Sequence, residues 1–359
     1  MITWERSVAK LAAGLFIALS LALVALFLVI DFGDWLRLYT GKPPGDVALL
    51  YWYRSHLALV QFAPAALVLT GGLTITLIRR RGEWTALKAL GASPVAVLRP
   101  LLVVSLAGAL ALLAFQEFVV SSSGPNVDRI MVERFDRWGD FLSVYTPRRW
   151  FRAGPWLINV RGAMADDHLE DVRLFELAPD GRLHRWLEGG KLTFVAEGRW
   201  RFDSATELTL DGAEARSELP RDALEVALPL RPEITRLAVG RPEWLPLSTL
   251  GDQIAVLASL QLPTEATRFA IHQRGTSLLV TALAALITAL LALSGKGRPS
   301  IPLALISGGV LYGVLFVVSM IARSLALNGH LAAPLAAWTP ALLLSAIAVV
   351  LGRRAWRAA

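Results

Sequence analysis

Six basic side chains lie at the outward ends of predicted membrane-crossing runs, and their chemistry is that of anion binding. Arginine and lysine pair with phosphate oxygens through charge-assisted hydrogen bonds. Because the positive-inside trend disfavours basic residues on the outward side, we interpret them as functional candidates. The candidate phosphate contacts are Arg37, Lys42, Arg54, Arg268, Arg274 and Arg323, with Arg37 and Arg274 as the first choices. The alternative is that these side chains reach lipid headgroups or pair with Asp31, Asp34 or Asp46.

A second set of residues with specific spacing lies in the stretch RRRGEWTALKALGASP, which joins two apolar runs. Gly82 ends one helix, and Glu83 opens a short new one with its carboxylate near the positive N-terminus. Gly91 suits the left-handed position after a helix end, and Ser93-Pro94 is a start signal for the next helix. The residues that this short helix offers are Glu83, Trp84, Leu87, Lys88, Leu90 and Gly91.

The short helix needs support, because a helix of about 13–15 Å is not stable alone in water. One support is the membrane surface, where Trp84 and the leucines would be buried in the lipid interface. The other is a soluble partner that docks on the helix, with Glu83 pairing a basic group. The sequence alone leaves both open.

Several kinds of chemistry are absent from the sequence. No G-x-x-x-x-G-K-[ST] motif occurs, so the chain has no P-loop for nucleotide phosphates. The chain has no cysteine, and its five histidines are scattered without ligand spacing, so we expect no thiolate chemistry and no metal site. The pairs Asp166-Asp167 and Glu170-Asp171 lie beside predicted turns and are interpreted as solvated loop charge. We therefore expect a protein that is not an enzyme.

The elements that must position these residues are membrane helices. The chain has 359 residues, of which 55% are hydrophobic, a composition outside the range of ordinary soluble domains. A run of roughly 20 apolar residues crosses a bilayer as a helix. The predicted spans are Val8–Ile30, Leu57–Ile78, Leu101–Val120, Thr276–Ser294, Ile301–Ala322 and Pro334–Leu351.

Basic residues in the short loops set the orientation, since Lys and Arg are retained on the cytoplasmic side. They place both termini and the short helix in the cytoplasm, and the long polar segment 121–265 outside. That segment carries 18 basic and 23 acidic residues, whereas the rest of the chain carries 18 basic and 6 acidic residues. Because no basic stripe lies on the outward segment, we expect no nucleic-acid binding.

The outward segment has the pattern of an antiparallel β domain. Short runs rich in aromatic and β-branched residues alternate with turn residues such as Pro179-Asp180-Gly181. The predicted strands are Trp156–Val160, Asp171–Leu177, Lys191–Gly198, Arg199–Ser204 and Thr206–Gly212. We interpret the aromatic residues Trp156, Phe175, Phe194, Trp200 and Phe202 as core; the alternative is an apolar interior open to a lipid chain.

The predicted fold is therefore an α-helical membrane protein with six transmembrane helices and an all-β, jelly-roll-like domain inserted between helices 3 and 4. Residues 1–120 hold helices 1–3, with the short cytoplasmic helix at 83–91. Residues 121–265 form the β domain, which would be periplasmic in a Gram-negative cell. Residues 266–359 hold helices 4–6.

The short helix resembles the coupling helix of the lipopolysaccharide-export permeases of the LptF/LptG family. The resemblance rests on the order E-x-x-x-x-K-A-x-G-x-S, present as Glu83, Lys88, Ala89, Gly91 and Ser93. The helix count, the place of this loop and the inserted β domain also match, so the resemblance covers essentially the whole chain. Phe62-Ala-Pro64, the strand pair at Trp150–Val160 and PLAAWTP at Pro334–Pro340 resemble the LptG branch more than LptF.

The resemblance implies a mechanism and a set of partners. In that family two such permeases form a pair, and the partner of this chain would be an LptF-like permease. A dimeric LptB-like ATPase docks under the coupling helices in the cytoplasm. The ATPase binds the ATP and Mg²⁺, and this chain binds no cofactor. Closure moves lipopolysaccharide from the inner membrane to the β domains and on to a periplasmic bridge of LptC-like and LptA-like proteins. The six predicted cations would then contact the phosphates of the lipid.

Two departures from the family pattern concern lipid binding. Asp31 stands near the end of span one, where the family often has a basic residue, and Ala270 and Leu278 replace a glutamate and a proline at the start of span four.

Other classes of protein remain as alternatives. One is a permease of another ABC exporter, of the lipoprotein-release or efflux type, although those resemble a four-span layout. Another is a membrane-anchored assembly scaffold that transports nothing.

Overall fold

The computed structural model describes residues 3–135, 149–165, 168–196, 198–211, 214–295 and 297–357. The chain divides into two compact units, Met1–Ser123 with Arg268–Ala359, and Gly124–Thr267. The acidic pair Asp166-Asp167 and the end of the last predicted strand, Gly212, lie outside the described residues.

Helices occur in both units, and the long ones lie mostly in the first. In chain order the helical elements are α1 (Thr3–Tyr39), α2 (Pro44–Arg80), α3 (Glu83–Ala89), α4 (Pro94–Phe115), a π-helical turn (Gln116–Val120), α5 (Ser121–Phe135), α6 (Pro232–Val239), α7 (Leu247–Ser259), α8 (Glu265–Ser294), α9 (Ile301–Leu327) and α10 (Ala333–Arg357). Within the described residues, six helical stretches are long and apolar enough to cross a membrane. The six predicted spans are thereby confirmed.

The helices run beyond the predicted apolar runs. The first predicted span, Val8–Ile30, is the middle of α1, which has 37 residues. Leu101–Val120 is part of a helical stretch from Pro94 to Phe135. An apolar run marks only the part of a helix suited to the hydrocarbon, whereas the backbone stays helical where polar side chains continue.

Small residues let α2 pack closely against α8 and α9. A Cβ atom on Gly71 would lie 2.0 Å from the carbonyl oxygen of Ala285, and one on Gly308 would lie 2.8 Å from the Leu69 side chain. The Thr288 hydroxyl of α8 donates a 2.7 Å hydrogen bond to the Val68 carbonyl of α2. Close packing and interhelical hydrogen bonds replace the hydrophobic effect as the source of helix association in lipid.

The second unit contains an antiparallel sheet. Its strands are β1 (Arg149–Ala153), β2 (Trp156–Ala165), β3 (His168–Leu177), β4 (Leu183–Ala196), β5 (Arg199–Asp211) and β6 (Glu214–Ala227). The described strands form one six-stranded sheet in sequential order, so each strand pairs with its neighbours in sequence. This confirms the predicted β domain between the third and fourth spans.

The two faces of the sheet differ in their aromatic residues. Trp156, Trp200 and Phe202 are buried in the core cluster, and Phe194 packs against it, as predicted. Phe175 is different, because it stacks between Trp150 and Trp186 at centroid distances of 5.4 and 5.8 Å and is not part of that core. Side chains alternate between the two faces of a strand, so position 175 falls opposite the core residue Leu174.

Three details of the β domain differ from the sequence prediction. The predicted strands Arg199–Ser204 and Thr206–Gly212 are one strand, β5. Strand β6 and the first half of β4 were not predicted, because β6 is rich in charge and β4 contains a Gly-Gly pair. Gly189 is needed in β4, since a Cβ there would lie 2.5 Å from the Phe202 ring of β5. The segment also contains the helices α6 and α7, which the strand pattern did not indicate.

Candidate functional site

The short helix predicted in the RRRGEWTALKALGASP stretch is α3, and Gly82 sets its start. Gly82 has φ +75°, a conformation that favours glycine, and the chain turns there from α2 into α3. The Gly82 amide donates to the Arg79 carbonyl, and the Gly82 carbonyl accepts from Ala86, each at 3.1 Å. The Gly82 amide therefore closes the last turn of α2, and the Gly82 carbonyl accepts the first hydrogen bond of α3.

The C-terminal end of α3 has the predicted glycine cap. Gly91 has φ +79°. The amides of Gly91 and Ala92 donate 2.9 Å hydrogen bonds to the carbonyls of Lys88 and Leu87, which is the Schellman pattern. Pro94 occupies the first turn of α4, as the start signal predicts.

Trp84 anchors α3 to the rest of the first unit. Its side chain is only 7% exposed and lies in an apolar cluster with Val8 of α1, Ile78 of α2 and Ala289 of α8. Since the protein itself buries Trp84, α3 does not need the lipid interface for that purpose. This contact supplies the support that a helix of seven residues lacks in isolation.

The other residues of α3 form an exposed surface. The Glu83 carboxylate is 49% exposed and lies 3.7 Å from the guanidinium of Arg81, which is 58% exposed. Leu90, just after the helix, is 84% exposed. Lys88 is exposed, with its ammonium 5.6 Å from the centre of the Trp84 ring, and Leu87 is half-buried. The sequence grouped these residues with Trp84, but only the exposed ones are accessible to another protein.

The C-terminal part of α1 and the N-terminal part of α2 hold a buried polar cluster around Arg54. The Arg54 guanidinium is 1% exposed and lies 2.6 Å from the Asp31 carboxylate. Arg54 also donates to the Tyr39 hydroxyl at 3.0 Å, and Tyr51 donates to Asp31 at 2.8 Å. Of the two interpretations of Arg54, the structure shows the pairing with Asp31. The same pair accounts for the acidic residue at a position where the resemblance suggests a basic one.

Arg274 is a buried side chain that forms an ion pair between α8 and the π-helical turn. It is 5% exposed, and its guanidinium lies 3.1 Å from the carboxylate of Glu117. Turns of π-helix often occur at functional sites, and here the turn carries Glu117. Sequence reasoning did not identify Glu117, Tyr39 and Tyr51 as site residues. An acid or a tyrosine near a span has no pattern that marks it as functional until its partner is known.

The other four predicted cations are more accessible. Arg37 and Arg268 are exposed, and Lys42 and Arg323 are half-buried. The structure thus separates the six candidates into two buried side chains, each beside a carboxylate, and four with solvent-accessible side chains.

A cavity of about 200 Å³ lies among α2, α8, α9 and α10. Its wall is mostly apolar, with Phe269, Leu315 and Pro340, and a row of polar side chains on α8 that includes Gln273 and Thr276. None of the six predicted cations lines it. Among the described residues, no group of three or more His, Asp or Glu side chains is arranged to hold a metal ion.

Comparison with known families agrees with this architecture. A family model described as "Lipopolysaccharide export system permease LptF/LptG" matches residues 6–354. The chain belongs to the LptF/LptG family. A search of curated proteins returned no match.

Membership of the LptF/LptG family indicates the general function of the chain. An LptF/LptG permease is a transport subunit in lipopolysaccharide export, not a catalytic enzyme. The six apolar helices and the family together make it a multi-pass inner-membrane protein. LptF/LptG permeases work with an ABC ATPase and other Lpt proteins.

Proposed function

We propose that this chain is the permease subunit that extracts lipopolysaccharide from the inner membrane and passes it to a periplasmic bridge. The observation that carries the proposal is the family match over residues 6–354, together with a short helix, α3, that is anchored by a buried tryptophan and exposed on its other face. A separate LptB-like dimeric ATPase supplies the energy, and an LptF-like permease completes the membrane pair. The local matches in the sequence favour the LptG position for this chain.

In the proposed mechanism, α3 is the docking point of the ATPase. The exposed Glu83 carboxylate pairs a basic group of the ATPase, and Leu90 supplies an apolar contact. Trp84 passes the displacement of α3 to the helices that bury it, α1, α2, α4 and α8. The α3 side of the membrane is cytoplasmic in this proposal, and the β domain is periplasmic.

The accessible cations are the proposed lipid contacts. Arg37, Lys42, Arg268 and Arg323 have accessible side chains that can reach the phosphates of the lipid. Arg54 and Arg274 would have to exchange a carboxylate for a phosphate, since each has a carboxylate within 3.1 Å. Because their side chains are accessible, the first four are the proposed contacts in this conformation, and the last two contribute only if the helices move apart.

The β domain is proposed to receive the lipid and join LptC-like and LptA-like proteins. Among the described strands, β1 and the 14-residue β6 lie at the two edges of the sheet, and such an edge is the kind of backbone to which a further strand can pair.

The experiment replaces Glu83 and follows the ATPase. The chain is co-expressed with its partner permease and ATPase, and co-purification and ATP-dependent lipopolysaccharide release are measured for Glu83→Ala. Thr85→Ala is the matched control, because Thr85 is exposed on the same helix. We expect Glu83→Ala to lose ATPase and export while Thr85→Ala keeps both. Normal ATPase association and export in Glu83→Ala would contradict the docking proposal. If the wild-type chain never recruits an ATPase, the result would favour a membrane-anchored scaffold.

A further inference from the structure

The Arg79 side chain, in the last turn of α2, reaches the C-terminal end of α8. Its guanidinium donates hydrogen bonds to the backbone carbonyls of Ala292, Gly295 and Gly297; the Gly295 bond is 2.7 Å and the Gly297 bond 3.3 Å. The last carbonyls of a helix have no partner within the helix, and they form the negative end of its dipole. A single arginine therefore caps α8 with both charge and hydrogen bonds.

The same residue is joined to α3 through the backbone. The Arg79 carbonyl accepts the amide of Gly82, the residue at which α2 turns into α3. The Trp84 cluster adds a second link, because it contains Ala289 of α8, with Ala292 and Leu293 packed against it. Thus α3 is connected to the last two turns of α8 by a polar contact and by an apolar one.

The neighbouring arginines provide an internal comparison. Arg79, Arg80 and Arg81 look equivalent in the sequence, as a basic stop at the end of a span. In the structure Arg80 is exposed and Arg81 lies beside Glu83 on the surface. The capping of α8 distinguishes Arg79 from a generic membrane-surface charge.

We propose that Arg79 is a positioning residue that ties the docking helix α3 to the end of α8, so that displacement of α3 moves the fourth span. The inference rests on the proposed function, in that α3 receives the force of the ATPase. It adds a route by which that force reaches the half of the membrane unit that follows the β domain in sequence. Arg79 itself contacts neither the lipid nor the ATPase in this proposal.

The first test measures coupling, as lipopolysaccharide released per ATP hydrolysed by the whole complex. We expect Arg79→Gln to lower this ratio about tenfold, because the charge-assisted hydrogen bonds to the end of α8 are weakened or lost, with ATPase association and hydrolysis retained. Arg79→Lys should recover part of the ratio, because an ammonium keeps the charge without the planar fork. The matched control Arg80→Gln should behave as the wild type.

A second variant disturbs the contact from the other side. A Cβ atom on Gly295 would lie 3.2 Å from the Arg79 guanidinium, so Gly295→Ala crowds the contact and leaves the arginine in place. It should lower the coupling ratio less than Arg79→Gln does. This variant keeps the proposal testable if Arg79→Gln fails to fold.

A direct readout of the tether is possible because the chain has no cysteine. Spin labels on Ala89→Cys, at the end of α3, and Ser294→Cys, at the end of α8, report the distance between the two elements in the purified permease. We expect a narrow distance distribution that is lost in Arg79→Gln and kept in Arg80→Gln.

The outcomes separate this inference from the proposed function. Unchanged coupling in Arg79→Gln, an equal loss in Arg80→Gln, or loss of ATPase association in Arg79→Gln would each overturn the positioning role. If the wild-type chain recruits no ATPase, the proposed function fails, and the label distances still show whether Arg79 holds α3 to α8.

Discussion

The buried pair Asp31–Arg54 gives a quantitative prediction for the first unit. Arg54 is 1% exposed and Asp31 is 8% exposed, with 2.6 Å between guanidinium and carboxylate. Removing one member of such a pair leaves an uncompensated buried charge and costs about 3–5 kcal/mol. Asp31→Asn and Arg54→Gln should therefore each lower the free energy of unfolding by about that amount, which is more than a hundredfold in the unfolding equilibrium.

The double variant tests the reasoning. Asp31→Asn with Arg54→Gln removes both charges, so no uncompensated buried charge remains. We expect its cost to be about 1–2 kcal/mol, far less than the sum of the two single variants.

The assay is equilibrium unfolding of the purified chain in mixed micelles, followed by tryptophan fluorescence. Two results would refute the reasoning. Single variants within about 0.5 kcal/mol of wild type would mean that the pair is not buried from solvent. A double variant as costly as the sum would mean that the two charges act independently.

Three further predictions concern packing, anchoring and pH. Gly71→Ala should destabilise the helix bundle by about 1–3 kcal/mol in the same assay, because its Cβ would clash with α8. Gly14→Ala, which has open space around it, should be neutral or stabilising. Trp84→Ala should cost about 3–5 kcal/mol of local packing and release α3, seen as faster amide exchange in α3. Burial raises the pKa of the Glu170 carboxyl in β3, and the nearby His168 opposes this shift. The raised pKa stabilises the folded state at pH values below the unfolded-state pKa of the carboxyl. This stabilisation is lost as the pH rises through the folded-state pKa. Thermal unfolding at a series of pH values should show this dependence in the wild type and not in Glu170→Gln.

The long helices and the short helix α3 were predictable because their signals are local. Twenty-residue apolar runs, Gly82, Gly91 and Ser93-Pro94 each act through the backbone within a few residues of themselves. The helix ends were less predictable, since α1 and α2 continue through polar residues that carry no hydropathy signal.

Asp31 was among the partners that the sequence suggested for Arg54, but the partners of Arg79 and Arg274 were not predictable, because they are distant in sequence. Arg79 and Gly295 differ by 216 positions, and Arg274 and Glu117 by 157. Sequence reasoning grouped Arg54 and Arg274 with the more accessible cations, although both side chains are buried and each has a carboxylate beside it. In the β domain, charged β6 lacked the alternation that identifies a strand.

The most direct test of the account is reconstitution. Proteoliposomes that contain this chain, its partner permease and the ATPase are loaded with lipopolysaccharide, and transfer to a soluble periplasmic bridge protein is measured with and without ATP. The account predicts ATP-dependent transfer that is abolished by Glu83→Ala in this chain. Transfer that proceeds equally well without this chain, or without ATP, would contradict its role as an export permease.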